Sequence, residues 1–132
     1  MLVLAGCGGT SAKANYEHHL QKDGAVLYHC CLSLAGAKHV HKVQLRVHAA
    51  TLDLASAKPP PAIHADAQAV LAGFRFADTM LSRLARDLAR GDDAARFKDE
   101  YAFKTARVLR QLVAAVHDLK QRGYDVGVIA NG

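Results

Sequence analysis

The sequence predicts an all-α protein folded as an antiparallel four-helix bundle. Its 132 residues are enough for one domain with its own core, and 51% of them are hydrophobic, which favours a folded chain over a disordered one. Apolar residues recur at spacings of three and four, and short turns rich in Gly or Pro separate these stretches. An α+β fold with a hairpin at 25–55, two long helices and a C-terminal strand is the alternative.

The clearest predicted helix begins near Ile63 and ends at Gly91. Pro61 suits its first turn, and Gly91 suits a left-handed stop. The apolar stripe of this helix consists of Ile63, Ala67, Val70, Phe74, Ala77, Leu81, Leu84 and Leu88. The connection that follows is short, so the next helix is expected to pack beside this one and antiparallel to it.

That next helix is predicted to run unbroken from a cap at Asp92 or Asp93 to a stop at Gly123. Its apolar stripe consists of Ala94, Phe97, Tyr101, Thr105, Val108, Leu112, Ala115 and Leu119. The aromatic side chains on the stripes are expected in the core. Phe76 and Phe103 lie off the stripes, and exposure of both would indicate a groove for a partner.

The first half of the chain allows two interpretations. The stretch HKVQLRVH alternates between apolar and polar residues, as a strand does. A longer helical stripe covers the same region and favours a helix: Val40, Val43, Val47, Ala50, Leu54 and Ala57. Upstream, Leu20, Gly24 and Leu27 share one helical face with Cys31 and Leu34, with a break or bend expected near Gly24.

Near the N-terminus, Leu4-Ala5-Gly6-Cys7 joins a short apolar run to small residues and a thiol, and a polar stretch follows. This motif resembles the lipobox of bacterial lipoproteins. The resemblance implies that a signal peptidase cleaves before Cys7 and that a diacylglycerol is attached to the sulfur. Gly8, which is not Asp, implies sorting to the outer membrane of a Gram-negative cell.

Six residues precede Cys7, and none is Lys or Arg, whereas a complete secretory signal has a basic start and roughly 15–30 residues. We therefore expect residues 1–14 to be a truncated lipoprotein signal and a flexible tether, with the translation start upstream or Met1 as an internal codon. The helical domain is expected over 15–123 and an extended tail over 124–132. The predicted location is the periplasmic face of the outer membrane.

Six of the eight histidines lie between residues 18 and 48, with two adjacent cysteines among them. Imidazole and thiolate bind Zn, Cu and Ni, so this region predicts a transition-metal site. The candidate ligands are His29, Cys30, Cys31, His41 and His48. Spacing opposes the prediction, because His41 and His48 are two helical turns apart, about 10 Å, and the chain has no HxxxH or CxxC motif. The opposing interpretation places His18, His19, His39, His41 and His48 on a solvated face and His29 at a boundary.

The sequence does not predict an enzyme. It contains no GxSxG motif, and its N-terminal glycines belong to the expected tether and do not form a phosphate-binding loop. The carboxylates are expected to pair with basic residues four positions away on exposed helical faces, which differs from an acid/base dyad. These pairs are Arg83 with Asp87, Arg96 with Glu100, Glu100 with Lys104, and Asp118 with Arg122.

Basic residues give the chain a net charge of +5. Two rows of them are predicted on neighbouring helices: Arg83, Arg86 and Arg90, and then Lys104, Arg107 and Arg110. Such rows predict contact with an anionic surface, either lipid phosphate or an anionic envelope polymer. Interleaved acidic residues weaken the field that nucleic acid would need, so nucleic acid is not an expected partner.

Three functions from different classes follow from these observations. The first is a lipid-anchored, non-enzymatic binding or accessory domain of the cell envelope, without a cofactor and with a protein partner in the envelope. The second is a periplasmic protein that binds or senses Zn, Cu or Ni through residues 18–48. The third is a cytoplasmic helical domain that binds nucleic acid and whose lipobox is accidental.

Overall fold

The computed structural model describes residues 2–30 and 37–131, and side chains over 12–30, 39–103 and 105–131. These ranges contain five α-helices and no strand: α1 Leu2–Cys30, α2 Ala37–Ser56, α3 His64–Arg90, α4 Asp93–Thr105 and α5 Arg107–Gln121. Short 3-10 turns lie at Pro61–Ile63 and Gly127–Asn131. The all-α helical bundle is confirmed, and the α+β alternative is wrong. None of the described helices has the length and apolar character needed to cross a membrane.

The first two helices run antiparallel. His19 of α1 contacts Asp53 near the end of α2, whereas Cys30 at the end of α1 packs with Val43 near the start of α2. The predicted bend near Gly24 is absent, because α1 continues through this residue. A Cβ at Gly24 would lie 3.1 Å from the Cβ of Ile129, so the glycine allows the C-terminal residues to pack closely against α1.

Helix α3 lies between α2 on one side and α4 and α5 on the other. Its predicted apolar stripe is buried: Ile63, Ala67, Val70, Phe74, Ala77, Leu81 and Leu84. Gly91 stops it at φ 66°, as predicted. Gly73 packs closely against α5, since a Cβ at this position would lie 2.8 Å from the Cβ of Leu112. This glycine therefore sets the distance between the two helices.

The predicted fourth helix is in fact two helices. Asp92 caps α4 by accepting a hydrogen bond from the Ala95 amide at 3.1 Å, as predicted. Ala106 then adopts an extended conformation, with φ −63° and ψ 127°, which ends α4 and begins α5. The break lets α4 turn Phe103 toward Phe76 of α3, with ring centroids 6.3 Å apart.

Because of this break, two aromatic side chains lie elsewhere than predicted. Phe97 and Tyr101, expected in the core, are 61% and 71% exposed. Phe76 and Phe103 are half-buried and contact each other, so the exposed groove that they would have indicated does not form between them. Farther along the same predicted stripe, α5 buries Leu112, Ala115 and Leu119.

The two ends of the chain also differ from the predicted tether and tail. α1 begins at Leu2, so the expected tether lies within a helix. We call residues 124–131 the C-terminal segment. Its Val126 and Ile129 are buried, and Gln21 of α1 donates a hydrogen bond to the carbonyl oxygen of Asp125 at 3.0 Å. This segment therefore packs as part of the bundle, because its apolar side chains cover α1.

Candidate functional site

A polar cluster joins α1 to the last turns of α2. Helix α1 places His19, Lys22 and Asp23 on one face, because they are spaced three and four residues apart. Helix α2 places Asp53 opposite them. The Nδ1 atom of His19 lies 2.7 Å from Oδ2 of Asp53, and Nζ of Lys22 lies 3.2 Å from the same oxygen. We call His19, Lys22, Asp23 and Asp53 the α1–α2 cluster.

Asp23 is the most deeply buried member of this cluster. Only 2% of it is exposed, and its Oδ2 atom has no hydrogen-bond partner. Burial, together with a hydrogen bond to the neighbouring Asp53 carboxyl, raises the pKa of Asp23 to about 7. Hydrogen bonds from Asp23 and His19 hold the pKa of Asp53 well below its usual range. Asp23 is therefore the partner that carries the proton and donates it to Asp53.

Three residues of the cluster bring metal-binding atoms together. One ligand atom each from His19, Asp23 and Asp53 lies within 4.8 Å of the other two. One imidazole and two carboxylates are a donor set that divalent ions accept. The predicted site was built from histidines and cysteines alone and does not include this group. The available signal was the spacing of His19 and Asp23, four residues apart on one helical face.

Two of the predicted metal ligands line a single cavity of about 240 Å³. His29 and Cys30 come from the end of α1, and Val43 and Arg46 come from α2. Cys30 is buried and His29 is exposed. This cavity brings one imidazole and one thiol to the same surface, with an arginine beside them.

The other predicted ligands lie elsewhere. His41 is exposed. His48 lies on the face of α2 that meets α3, where its Nδ1 is 2.8 Å from Oδ2 of Asp78 and Gln44 donates to the other oxygen of that carboxylate at 2.7 Å. Cys31 lies outside the described residues. Within the described part of the chain, no three of the predicted ligands converge.

A second pair of carboxyl groups joins α3 to α5. Burial and the neighbouring Asp118 carboxyl raise the pKa of Asp66 to about 6. Hydrogen bonds from Asp66 and Arg122 lower the pKa of Asp118. The predicted pair of Asp118 with Arg122 is confirmed, since Nε of Arg122 lies 2.7 Å from Oδ2 of Asp118. The same Nε atom of Arg122 lies 3.7 Å from Oδ2 of Asp66.

A third pair of carboxyl groups joins α3 to α4. Asp87, predicted on an exposed face, is 5% exposed. A hydrogen bond from Asp99 lowers the pKa of Asp87, and the same contact raises the pKa of Asp99. Arg86 lies 3.6 Å from Asp87, while the positive charge of Arg83 acts on Asp99. Two of the predicted anionic-surface residues thus lie beside an acidic pair.

The remaining basic candidates are exposed. Arg90, Arg107 and Arg110 are all open to solvent, and Arg110 donates to the carbonyl oxygen of Thr105 at 2.6 Å, across the break between α4 and α5. The side chains of Lys104 and of the predicted lipidation site Cys7 lie outside the described residues. These three exposed arginines lie at the end of α3 and in the first turn of α5.

Comparison of the chain with protein-family models, with curated proteins and with solved structures finds no match. Two features of the described residues are candidate binding sites. One is the α1–α2 cluster, and the other is the pair of exposed aromatic side chains Phe97 and Tyr101, which we call the α4 aromatic face.

Proposed function

We propose that the chain is a lipid-anchored, non-enzymatic binding domain of the cell envelope, and that its α4 aromatic face lies on an anionic membrane surface. The observation that carries the proposal is the exposure of Phe97 and Tyr101, at 61% and 71%. They are four residues apart and therefore neighbours on the helix surface. The free energy of an aromatic ring falls when the ring moves from water to the headgroup region of a bilayer.

Basic side chains lie near this face, together with the exposed acid Asp93 one helical turn before Phe97. The guanidinium carbon of Arg96 lies 4.7 Å from the centroid of the Phe97 ring. Lys98 on α4 and Arg107 at the start of α5 are exposed. Apolar side chains bordered by basic ones are typical of helices that lie in the plane of a membrane interface. The net charge of +5 acts in the same direction.

The lipobox supplies the second attachment. A diacylglycerol on Cys7 adds two acyl chains, and stable anchoring of a protein generally requires two membrane signals. In this proposal the acyl chains hold the domain at the membrane, and the α4 aromatic face orients it. A protein partner in the envelope would then bind surfaces that face away from the lipid.

The α4 aromatic face can be tested by vesicle binding. The full chain carrying Cys7→Ser, which prevents lipidation, is mixed with vesicles of phosphatidylcholine alone or with added phosphatidylglycerol. We expect binding to the anionic vesicles that weakens with salt. The double substitution Phe97→Ala and Tyr101→Ala should weaken it roughly tenfold, about 1.4 kcal/mol.

The matched control is a second exposed apolar pair, on α2. Leu45 and Leu52 are 52% and 59% exposed, so Leu45→Ala with Leu52→Ala removes a comparable apolar surface from another helix. This control should leave vesicle binding unchanged. Equal loss in both double variants, or no binding to either kind of vesicle, would rule out the membrane as the occupant of the α4 aromatic face.

The lipid anchor is tested separately on protein expressed from its native gene in a Gram-negative host. Mass spectrometry of the membrane fraction should find a mature chain that begins at Cys7 and carries the mass of a diacylglycerol. The Cys7→Ser variant should leave that fraction. An unmodified Cys7 in the membrane fraction would contradict the anchor and leave the α4 aromatic face to be judged by the vesicle experiment alone.

A further inference from the structure

We infer that His19, Asp23 and Asp53 form a binding site for one divalent transition-metal ion between α1 and α2, with Zn²⁺ as the reference ion. The inference is independent of the proposed membrane contact, which concerns α4. It also differs from the metal site predicted from the sequence, with which it shares no ligand.

The distances between the three side chains suit such an ion. Zn²⁺ binds imidazole nitrogen and carboxylate oxygen at about 2.0–2.2 Å, which places tetrahedral ligand atoms roughly 3.4 Å apart. The Nδ1 atom of His19 and Oδ2 of Asp53 are 2.7 Å apart, and the three ligand atoms lie within 4.8 Å of one another. Small side-chain rotations are therefore enough to surround an ion.

The second observation is the unpartnered oxygen of Asp23. Only 2% of this residue is exposed, and its Oδ2 atom has no hydrogen-bond partner. A buried polar atom without a partner costs about 1–3 kcal/mol, and a bound ion is one of the groups that satisfy such an atom in native proteins. The hydrogen bond that Asp23 shares with Asp53 does not satisfy Oδ2. A cation held between the two carboxylates would give Oδ2 a partner.

Lys22 occupies part of the place that the ion would take. Its Nζ lies 3.2 Å from the oxygen of Asp53 that also contacts His19, and its side chain is 53% exposed. A long exposed side chain can move into solvent at little cost. Lys22 therefore acts as a competitor for Asp53, and removing its charge should strengthen metal binding.

The donor set selects the class of ion. Ca²⁺ takes six to eight oxygen ligands, and Mg²⁺ requires near-octahedral oxygen coordination. One imidazole and two carboxylates instead suit Zn²⁺ and its first-row neighbours Mn²⁺ and Co²⁺. Three protein ligands leave a fourth position for water or for an external ligand.

The site is tested by calorimetric titration of Zn²⁺ into the full chain carrying Cys7→Ser and Cys31→Ser, which removes two competing thiols. We expect one ion per chain with a Kd of about 1 µM or tighter. Asp23→Asn and His19→Gln should each weaken binding by at least about tenfold. An amide at residue 23 can still donate to Asp53, so Asp23→Asn should keep the helical circular dichroism spectrum.

The chain contains a matched control. His48 and Asp78 form a similar contact of 2.8 Å between α2 and α3, but no third metal ligand converges on them within the described residues. His48→Gln and Asp78→Asn should leave Zn²⁺ affinity unchanged. Lys22→Gln should increase it, a result that a purely structural role of the cluster would not produce.

Three results would overturn the inference. The first is the absence of stoichiometric Zn²⁺ binding. The second is binding that survives Asp23→Asn but is lost in His29→Gln or His41→Gln, which would return the site to the ligands predicted from sequence. The third is Ca²⁺ or Mg²⁺ binding as tight as Zn²⁺ binding, because the imidazole of His19 would then contribute nothing.

Discussion

Ala106, the N-cap residue of α5, has no side-chain oxygen that could accept a hydrogen bond. Its backbone is extended, and no side-chain hydrogen bond caps the first turn of α5. The amide of Arg110 donates to the carbonyl oxygen of Ala106 at 3.3 Å, so the first hydrogen bond of α5 is longer than the usual length of about 2.9–3.0 Å. The free amides of a first helical turn are normally satisfied by a Ser, Thr, Asp or Asn at this position.

A serine at this position is therefore expected to stabilise the protein. In Ala106→Ser, the hydroxyl oxygen can accept a hydrogen bond from the amide of Val108 or Leu109. Replacing an alanine cap by serine is worth about 1 kcal/mol. Urea denaturation followed by circular dichroism should show that increase in the free energy of unfolding.

The control for this substitution is Ala114→Ser. Ala114 is exposed inside α5, where every amide is already bonded and serine only lowers helix propensity, by about 0.5 kcal/mol. Its free energy of unfolding should decrease. If Ala106→Ser decreased stability in the same way, the extended conformation of Ala106 would not be acting as a helix cap.

Single residues were predictable where the reason for the conformation is local. Gly91 and Gly123 have φ of 66° and 88°, and Asp92 caps α4. Residue type alone indicates each of these. Ala106 could not be found in this way, since alanine favours helix more than any other residue. Asp23 could not be found either, because its burial depends on helices and segments distant in sequence.

At the scale of elements, apolar spacing predicted α2 and α3 and misled at α4. Helix α4 has two possible stripes, and the one with Phe97 and Tyr101 continues smoothly into α5. The structure uses the other, on which Asp99 and Phe103 are half-buried, because the break at Ala106 resets the phase of the helix. Periodicity measures whether a helix is amphipathic, and it does not decide between two competing faces.

The C-terminal segment was unpredictable for a related reason. It is too short to show a period, yet Val126 and Ile129 enter the same core as Leu20 of α1. The amide of Asp125 also donates to the carboxylate of Glu17 at 2.6 Å. Contacts of this kind join residues from opposite ends of the chain, so only the assembled bundle defines them.

Across the whole molecule, a pair of carboxyl groups lies at each of three helix contacts. Asp23 meets Asp53 between α1 and α2, Asp66 meets Asp118 between α3 and α5, and Asp87 meets Asp99 between α3 and α4. In every pair the pKa of one group is raised and that of the other is lowered. Folding therefore brings acids together in pairs, and two of these acids, Asp87 and Asp118, were predicted on exposed helical faces.

The α3–α5 pair makes stability depend on pH in a definite direction. The pKa of Asp66 is raised to about 6 in the folded protein, whereas an unfolded Asp has a pKa of about 3.9. Between these values the folded chain binds a proton that the unfolded chain has lost. Its stabilising contribution is thus complete below about pH 4 and disappears as the pH rises through about 6.

Asp66→Asn tests this dependence, because an amide imitates the protonated acid at every pH. It can donate to Asp118 without taking up a proton. The variant should match the wild type near pH 4 and exceed it in free energy of unfolding at pH 7.5. The measurement is urea denaturation at several pH values between these limits. The lowered pKa of Asp118 contributes only at the acid end of this range, since that carboxyl is ionised in both states well above its unfolded pKa of about 3.9.

Asp93→Asn is the control, since Asp93 is exposed in the first turn of α4. Its curve of free energy against pH should run parallel to that of the wild type, while the curve for Asp66→Asn should diverge from it as the pH rises. Parallel curves for both variants would mean that folding does not raise the pKa of Asp66. The salt bridges of Arg122 to both acids would then suffice to hold α3 against α5 without a shared proton.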